Sequence, residues 1–185
     1  MERKGWPGTL AVAALLIGLS VGLPAADRSV PAFDVPLPAG TRVQVGPADG
    51  ARRPVSVQVP DGWAVDVDDT SLSQSVALFN GSTSFQLSVI LAEGATPTQL
   101  WHGLGRLELA GGVTAQQGQT VPITTEQGVP GLAGPVTFPD RTATVAVFAA
   151  PALGADVVVT GPPDEVTGPE IRTMLVSIRF DGAGR

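Results

Sequence analysis

Val76-Ala77-Leu78-Phe79-Asn80-Gly81-Ser82-Thr83-Ser84-Phe85-Gln86-Leu87-Ser88-Val89-Ile90-Leu91 decides the fold class together with Thr96-Pro97-Thr98-Gln99-Leu100, which follows it. Two apolar runs, 76–79 and 85–91, flank Asn80-Gly81. Asn-Gly between apolar runs is the strongest short hairpin signal, because both residues tolerate positive φ. A hairpin is therefore predicted, with a loop reaching as far as Ser84. The period then changes. Thr96 is a capping residue, Pro97 suits a first helical turn, and Gln99 stands where a capping box needs its return acceptor. Leu100, Leu104 and Leu107 recur at i, i+4 and i+7, one apolar stripe. Gly111-Gly112 should stop this helix.

Working outward, period two returns on both sides. Arg42–Val45, Val55–Val59 and Trp63–Val67 are strand candidates before the hairpin. Val121–Thr125, Gly134–Phe138, Thr142–Phe148 and Asp156–Thr160 are candidates after the helix. Three consecutive valines, 157–159, suggest a central strand buried on both faces. Thr167-Gly168-Pro169-Glu170 repeats the capping-box pattern. Ile171, Met174, Leu175 and Ile178 would form the buried face of a second helix ending at Phe180. Runs of strands separated by helices predict an α+β fold, an antiparallel β-sheet with two packed helices.

The N-terminus carries a different signal. Glu2, Arg3 and Lys4 precede an uncharged run from Gly5 to Ala26, with an unbroken apolar heart at Leu10–Leu23. The heart has signal-peptide length. The full run has the length of a spanning helix, with Trp6 at headgroup level. Cleavage after Ala26 or Ala25 would put Pro24 or Leu23 at the −3 position, where a small residue is needed. Residues 1–26 are therefore read as a signal-anchor, an N-terminal apolar helix, with a cleaved signal peptide as the alternative. Arg3 and Lys4 predict a cytoplasmic N-terminus and an extracytoplasmic domain. Residues 27–40 hold three prolines and read as a semi-rigid linker. The domain is placed at 41–181 and a frayed tail at 182–185.

Composition excludes several functions. The 185 residues contain no Cys, which removes disulfides, thiol catalysis, thiolate metal sites and a Cys-linked lipid anchor. Beyond residue 26 there are 16 acids against nine bases. That balance argues against nucleic acid, whose phosphates need clustered cations.

Few residues invite a catalytic reading. His102 is the sole histidine, so a Ser-His-acid triad would have to use it. It lies one position off the leucine stripe, and no G-x-S-x-G elbow accompanies it. It reads as a helix-surface residue. Asp61, Asp66, Asp68 and Asp69 form the densest acidic cluster. A calcium loop starting at Asp66 would need Gly and Glu where Ser71 and Ala77 stand. These Asp residues read as turn caps in a solvated loop. Trp63 and Trp101 read as packing residues that would line an apolar site if they met across a groove. Asn80-Gly81-Ser82 matches the glycosylation sequon, but the turn explains it. Gly103-x-Gly105 lies in the helix pattern without a preceding strand, which is not a phosphate loop. No catalytic, cofactor-binding or metal residue is nominated, and no cofactor.

Val57-Gln58-Val59-Pro60-Asp61-Gly62-Trp63 resembles the strand–turn–Trp entry of the PsbP-like fold group. That group includes the photosystem II extrinsic protein and exported LpqN-type mycobacterial lipoproteins. Glu170-Ile171, Met174 and Ser177-Ile178-Arg179-Phe180 resemble its final helix and short terminal strand. The resemblance implies an α/β/α sandwich and an extracytoplasmic accessory or binding role without an activity. The lipoprotein members carry a lipidated Cys that this chain lacks.

The expectation is a membrane-tethered or secreted accessory domain, not an enzyme, that binds a protein partner or an apolar small molecule. An exported hydrolase and a passive envelope spacer are the alternatives.

Overall fold

The structure is a computed structural model that describes residues 35–110, 115–139 and 141–181, with the side chains of 105–110 left aside. The apolar helix expected at 1–26 and the tail at 182–185 lie outside the described residues. Among those described, no helix is long and apolar enough to cross a membrane.

The hairpin forms as β5 (Ser75–Asn80) and β6 (Thr83–Leu91), in register Leu78 opposite Phe85 and Asn80 opposite Thr83. Its loop is only Gly81-Ser82. Gly81 sits at φ +58°, and no non-glycine residue among those described has positive φ. Asn80 is thus the last strand residue, and Gly occupies the first central position, as a type II′ turn requires. Of the two residues that tolerate positive φ, only Gly81 adopts it.

Around this hairpin the main sheet runs β1-β4-β5-β6-β11-β10-β9-β7, with β8 pairing the other half of β9. Its remaining strands are β1 (Val35–Pro36), β4 (Ala64–Ser71), β7 (Gln116–Gln117), β8 (Val121–Thr124), β9 (Pro130–Thr137), β10 (Thr142–Ala149) and β11 (Leu153–Thr160). Every strand pairing in this sheet is antiparallel among the described residues. The valine run stands in β11 between β6 and β10, as predicted. Val157 and Val159 are fully buried, while Val158 faces the opposite side, half-buried.

Two layers sandwich this sheet. On one face lies α1 (Pro97–Ala110), over β9 and β10. Its capping box forms as expected: Thr96 N–H donates to Gln99 Oε1 at 2.8 Å, and Gln99 N–H to Thr96 Oγ1 at 3.3 Å. Leu100 and Leu104 pack with Trp101 onto Val136, Val145 and Val147. Two strand glycines seat the helix. A Cβ on Gly134 would stand 3.3 Å from the Trp101 ring, and one on Gly154 would stand 3.0 Å from Leu100. Leu107 and Gly111-Gly112 lie outside the description of side chains or backbone.

The other face carries a small sheet, β12-β3-β2, with α2 (Pro163–Val166) and α3 (Pro169–Val176). Its strands are β2 (Arg42–Val45), β3 (Val55–Gln58) and β12 (Arg179–Phe180). The larger core lies here, where Val55, Val57, Phe85, Leu87, Phe148, Val157, Met174 and Ile178 interlock.

The expected capping box at Thr167 does not form. The N-cap of α3 is Gly168 with no side-chain cap bond, and Thr167 Oγ1 instead donates to the Pro163 carbonyl of α2. A one-turn helix ahead of α3 takes the threonine as its own C-cap. The second helix also stops early, at Val176. Ile178 is buried beyond it, and Phe180 belongs to β12, paired with Val55.

The linker reaches into the fold at its C-terminal end. Val35 and Pro36 pair with Val65 and Ala64, Leu37 packs on the larger core, and Gly40 N–H donates to the Val59 carbonyl.

Candidate functional site

An open groove of about 480 Å³ lies where Trp63, the β5–β6 turn and the starts of α2 and α3 converge. Each wall follows from local sequence. Gly62, at φ +82°, turns the chain after Pro60-Asp61 and delivers Trp63 to the groove floor. The Trp63 indole is 2% exposed and meets Phe85 edge-to-face, with centroids 6.3 Å apart. Pro163 and Pro169 open the two helices, since proline lacks the N–H that a first turn leaves unbonded. Asp164, Glu165 and Glu170 follow in those first turns, where the helix dipole favours negative charge.

Two of these carboxylates are held by neutral donors. Trp63 Nε1–H donates to Glu170 Oε1 at 2.5 Å. The Thr83 hydroxyl donates to Glu165 Oε2. Gly161, at φ +151°, allows the second contact, because a Cβ there would stand 2.6 Å from Thr83 Oγ1. The groove lining includes three acids and no Lys or Arg. Hydrogen bonds from Trp and Thr orient these carboxylates without neutralising them.

The residues singled out in the sequence are distributed elsewhere, apart from Trp63 and the Asn80 turn. His102 is exposed on α1 and has no hydrogen-bond or ion-pair partner among the described residues. No Ser or carboxylate is joined to it there, so a triad is not assembled. Trp101 is 5% exposed in the smaller core, on the opposite face of the sheet from Trp63. The two tryptophans do not share a groove.

Asp66, Asp68 and Asp69 lie on β4, where three extra residues bulge between Asp66 and Ser71. Asp66 Oδ1 accepts the N–H groups of Asp68 and Asp69 at 3.1 and 3.2 Å. Thr70 Oγ1 accepts the Ala77 N–H at 3.0 Å. The cluster caps a bulge, in line with the turn-cap reading. Partial burial, then the neighbouring Asp66 and Asp68 charges, push the Asp69 carboxyl up. No group of acids or His among the described residues could hold a metal ion.

Sequence reasoning missed the groove acids. Their signal was two proline-led helix starts, Pro163-Asp164-Glu165 and Pro169-Glu170, within one short stretch. It also missed Asp156. This half-buried residue stands in β11 opposite Ser88 and Val147, and burial pushes its carboxyl up to about 7. An acid heading a triple-valine strand was the visible sign.

No family model and no curated protein matches the sequence. Among solved structures, the chain is similar to the solution structure of cyanobacterial PsbP (CyanoP) from Synechocystis sp. PCC 6803. The TM-score is 0.52 at 12% identity, over 76% of this chain and 91% of that one.

The fold is PsbP-like.

At such low identity the PsbP-like likeness concerns architecture alone. It bears out the PsbP-like resemblance at the level of the fold.

Proposed function

We propose that this PsbP-like chain is an extracytoplasmic accessory domain, tethered by its N-terminal segment or secreted after cleavage. In this reading it binds a protein partner through the groove at Trp63 and has no catalytic role. The observation that carries the reading is the pair of carboxylates, Glu165 and Glu170, already oriented by Thr83 and Trp63. Preorganised groups lose little freedom on binding. A rim of uncompensated charge suits a polar protein surface better than an apolar small molecule, and the net charge of −6 would steer a basic partner.

The test is crosslinking in intact envelope of the producing cell, with the full chain and a Glu165→Lys/Glu170→Lys variant. N-terminal sequencing of the mature chain runs beside it. One specific partner is expected with the wild type and not with the variant. Equal recovery by both removes the groove from the proposal, and recovery of none removes the accessory role. A mature chain starting at Asp27 ends the tethered form and leaves the secreted one.

A further inference from the structure

The two ends of the main sheet differ in chemistry. One end carries the groove, with the Gly81-Ser82 turn and the acids that open α2 and α3. At the other end the strands stop at leucines. Leu91 closes β6 and is 86% exposed, and half-buried Leu153 stands directly opposite it at the start of β11. Leu72, 41% exposed, lies in the turn between β4 and β5. Its carbonyl accepts the Gly46 N–H at 2.8 Å. A Cβ on Gly46 would stand 3.4 Å from Val89, which shares a face of β6 with Leu91. The three leucines thus belong to one rim, bordered by exposed Pro47, Pro151 and Ala152. Single surface leucines are ordinary, but a rim of them marks a contact surface.

The path of the chain says what covers it. β4 runs from Ala64 at the groove end to Ser71 at the leucine end. β1 pairs with it antiparallel, Val35 with Val65 and Pro36 with Ala64. Traced backwards from Pro36 to Val35, the chain therefore heads towards the leucine end, and Val65 to Ser71 covers at most about 20 Å. Residues 24–34, which follow the apolar run Leu10–Leu23, span at most about 40 Å. A chain anchored through that run enters the fold from the leucine side, with the rim within reach of the bilayer.

We propose that the rim of Leu72, Leu91 and Leu153 rests in the headgroup layer of a zwitterionic bilayer, which holds the Trp63 groove at the far end, facing away from the membrane. The inference rests on the tethered form of the function proposed above.

Two exposed leucines and a half-buried one bury too little apolar surface to hold a free domain on lipid. A tether raises the effective concentration of the rim at the surface, and a weak contact then becomes a preferred orientation. Exposed Glu93, two residues beyond Leu91, and the net charge of −6 disfavour an anionic leaflet, so the lipid is zwitterionic. The same orientation turns the groove acids towards the aqueous side, where a basic protein partner would approach.

The chain contains no Cys, so a single introduced cysteine can be labelled selectively. The full chain is reconstituted in phosphatidylcholine vesicles that carry a nitroxide near the top of the acyl chains. An environment-sensitive fluorophore is placed at Glu93→Cys beside the rim or at Ser82→Cys in the groove turn, both exposed positions. Flotation of the vesicles reports whether the chain is membrane-bound. Quenching of the label at 93 and none at 82 is expected, with loss of the quenching at 93 in Leu72→Ser/Leu91→Ser. Both of these leucines are exposed, so the substitutions leave the core intact. A floating chain with no quenching at 93, with equal quenching at 82, or with quenching that survives in the double variant overturns the inference and leaves the tethered reading standing. A chain that does not float overturns both.

Discussion

Gly131 stands directly opposite Phe148 across the β9–β10 ladder, and the ring fills the space a side chain would need. A Cβ there would lie 2.5 Å from the Val147 carbonyl oxygen and 2.7 Å from the Phe148 ring. Neither neighbour can yield, since one is ladder backbone and the other is a fully buried core ring. Gly131→Ala should cost about 2–3 kcal/mol by overpacking, read from the urea midpoint at constant slope. Asp156 gives a pH-dependent prediction. Its folded pKa, about 7, lies above the ordinary 3.8, so the folded state holds the proton more tightly. The associated stability is fully present below about pH 4, is lost as pH rises towards 7, and is absent above. Asp156→Asn should therefore raise stability by about 1–3 kcal/mol at pH 8.5 and by almost nothing at pH 3. The linkage ceiling is about 4 kcal/mol, lowered here because the side chain is only half-buried. Thermal melts at both pH values check this, and an equal shift at both would refute the assignment. At this scale the sequence was partly legible. Asn80-Gly81 located the turn, but which residue takes positive φ depends on the register of β5 and β6, a contact between chain segments.

Among elements, β4 shows how a local cluster serves the whole sheet. Beyond its short pairing with β1, the outer edge of β4 runs unpaired through Asp66–Ser71 among the described residues. Open edges invite pairing with other chains, and bulges and charges prevent it. Here the Asp66 carboxylate takes up two N–H groups of the bulge, and Asp68 and Asp69 add exposed charge. Asp66→Ala should lower stability by about 1–2 kcal/mol. It should also increase self-association, measured by light scattering against concentration. Loss of stability without a change in association would show that the cluster caps the bulge but does not guard the edge. Alternation and capping disclosed most elements, and the Thr96–Gln99 box was read to the residue. Lengths came out short, because strand ends such as Pro130–Ala133 and Leu153–Ala155 lack the β-branched or aromatic residues that mark a strand. The one-turn α2 was invisible, since four residues carry no periodicity. Its presence claimed Thr167 and undid the predicted second capping box.

Over the whole molecule, alternation showed that sheets exist but not that β2 and β3 leave the main sheet to build the opposite layer with β12. That choice depends on which faces of Val45, Val55 and Val57 meet Phe85 and Met174. The same scale joins the linker to the groove. The carbonyl of Trp63 accepts the Leu37 N–H at 3.0 Å, while its indole donates to Glu170. One residue therefore holds both the incoming arm and a groove carboxylate. The arm's end belongs to the folded unit through Leu37 burial and the bond from Gly40 to Val59. A chain starting at Val35 should match the full chain in stability, whereas one starting at Thr41 should lose about 2–3 kcal/mol. The loss sums partial burial of one leucine and two backbone hydrogen bonds. Trp63 should also change its fluorescence in the shorter chain, read with Trp101→Phe as background, because its backbone anchor is gone. Equal stability of the two chains would mean that β1 contributes nothing, and that the arm is not the part of the fold that fixes Trp63 and, through it, the orientation of Glu170.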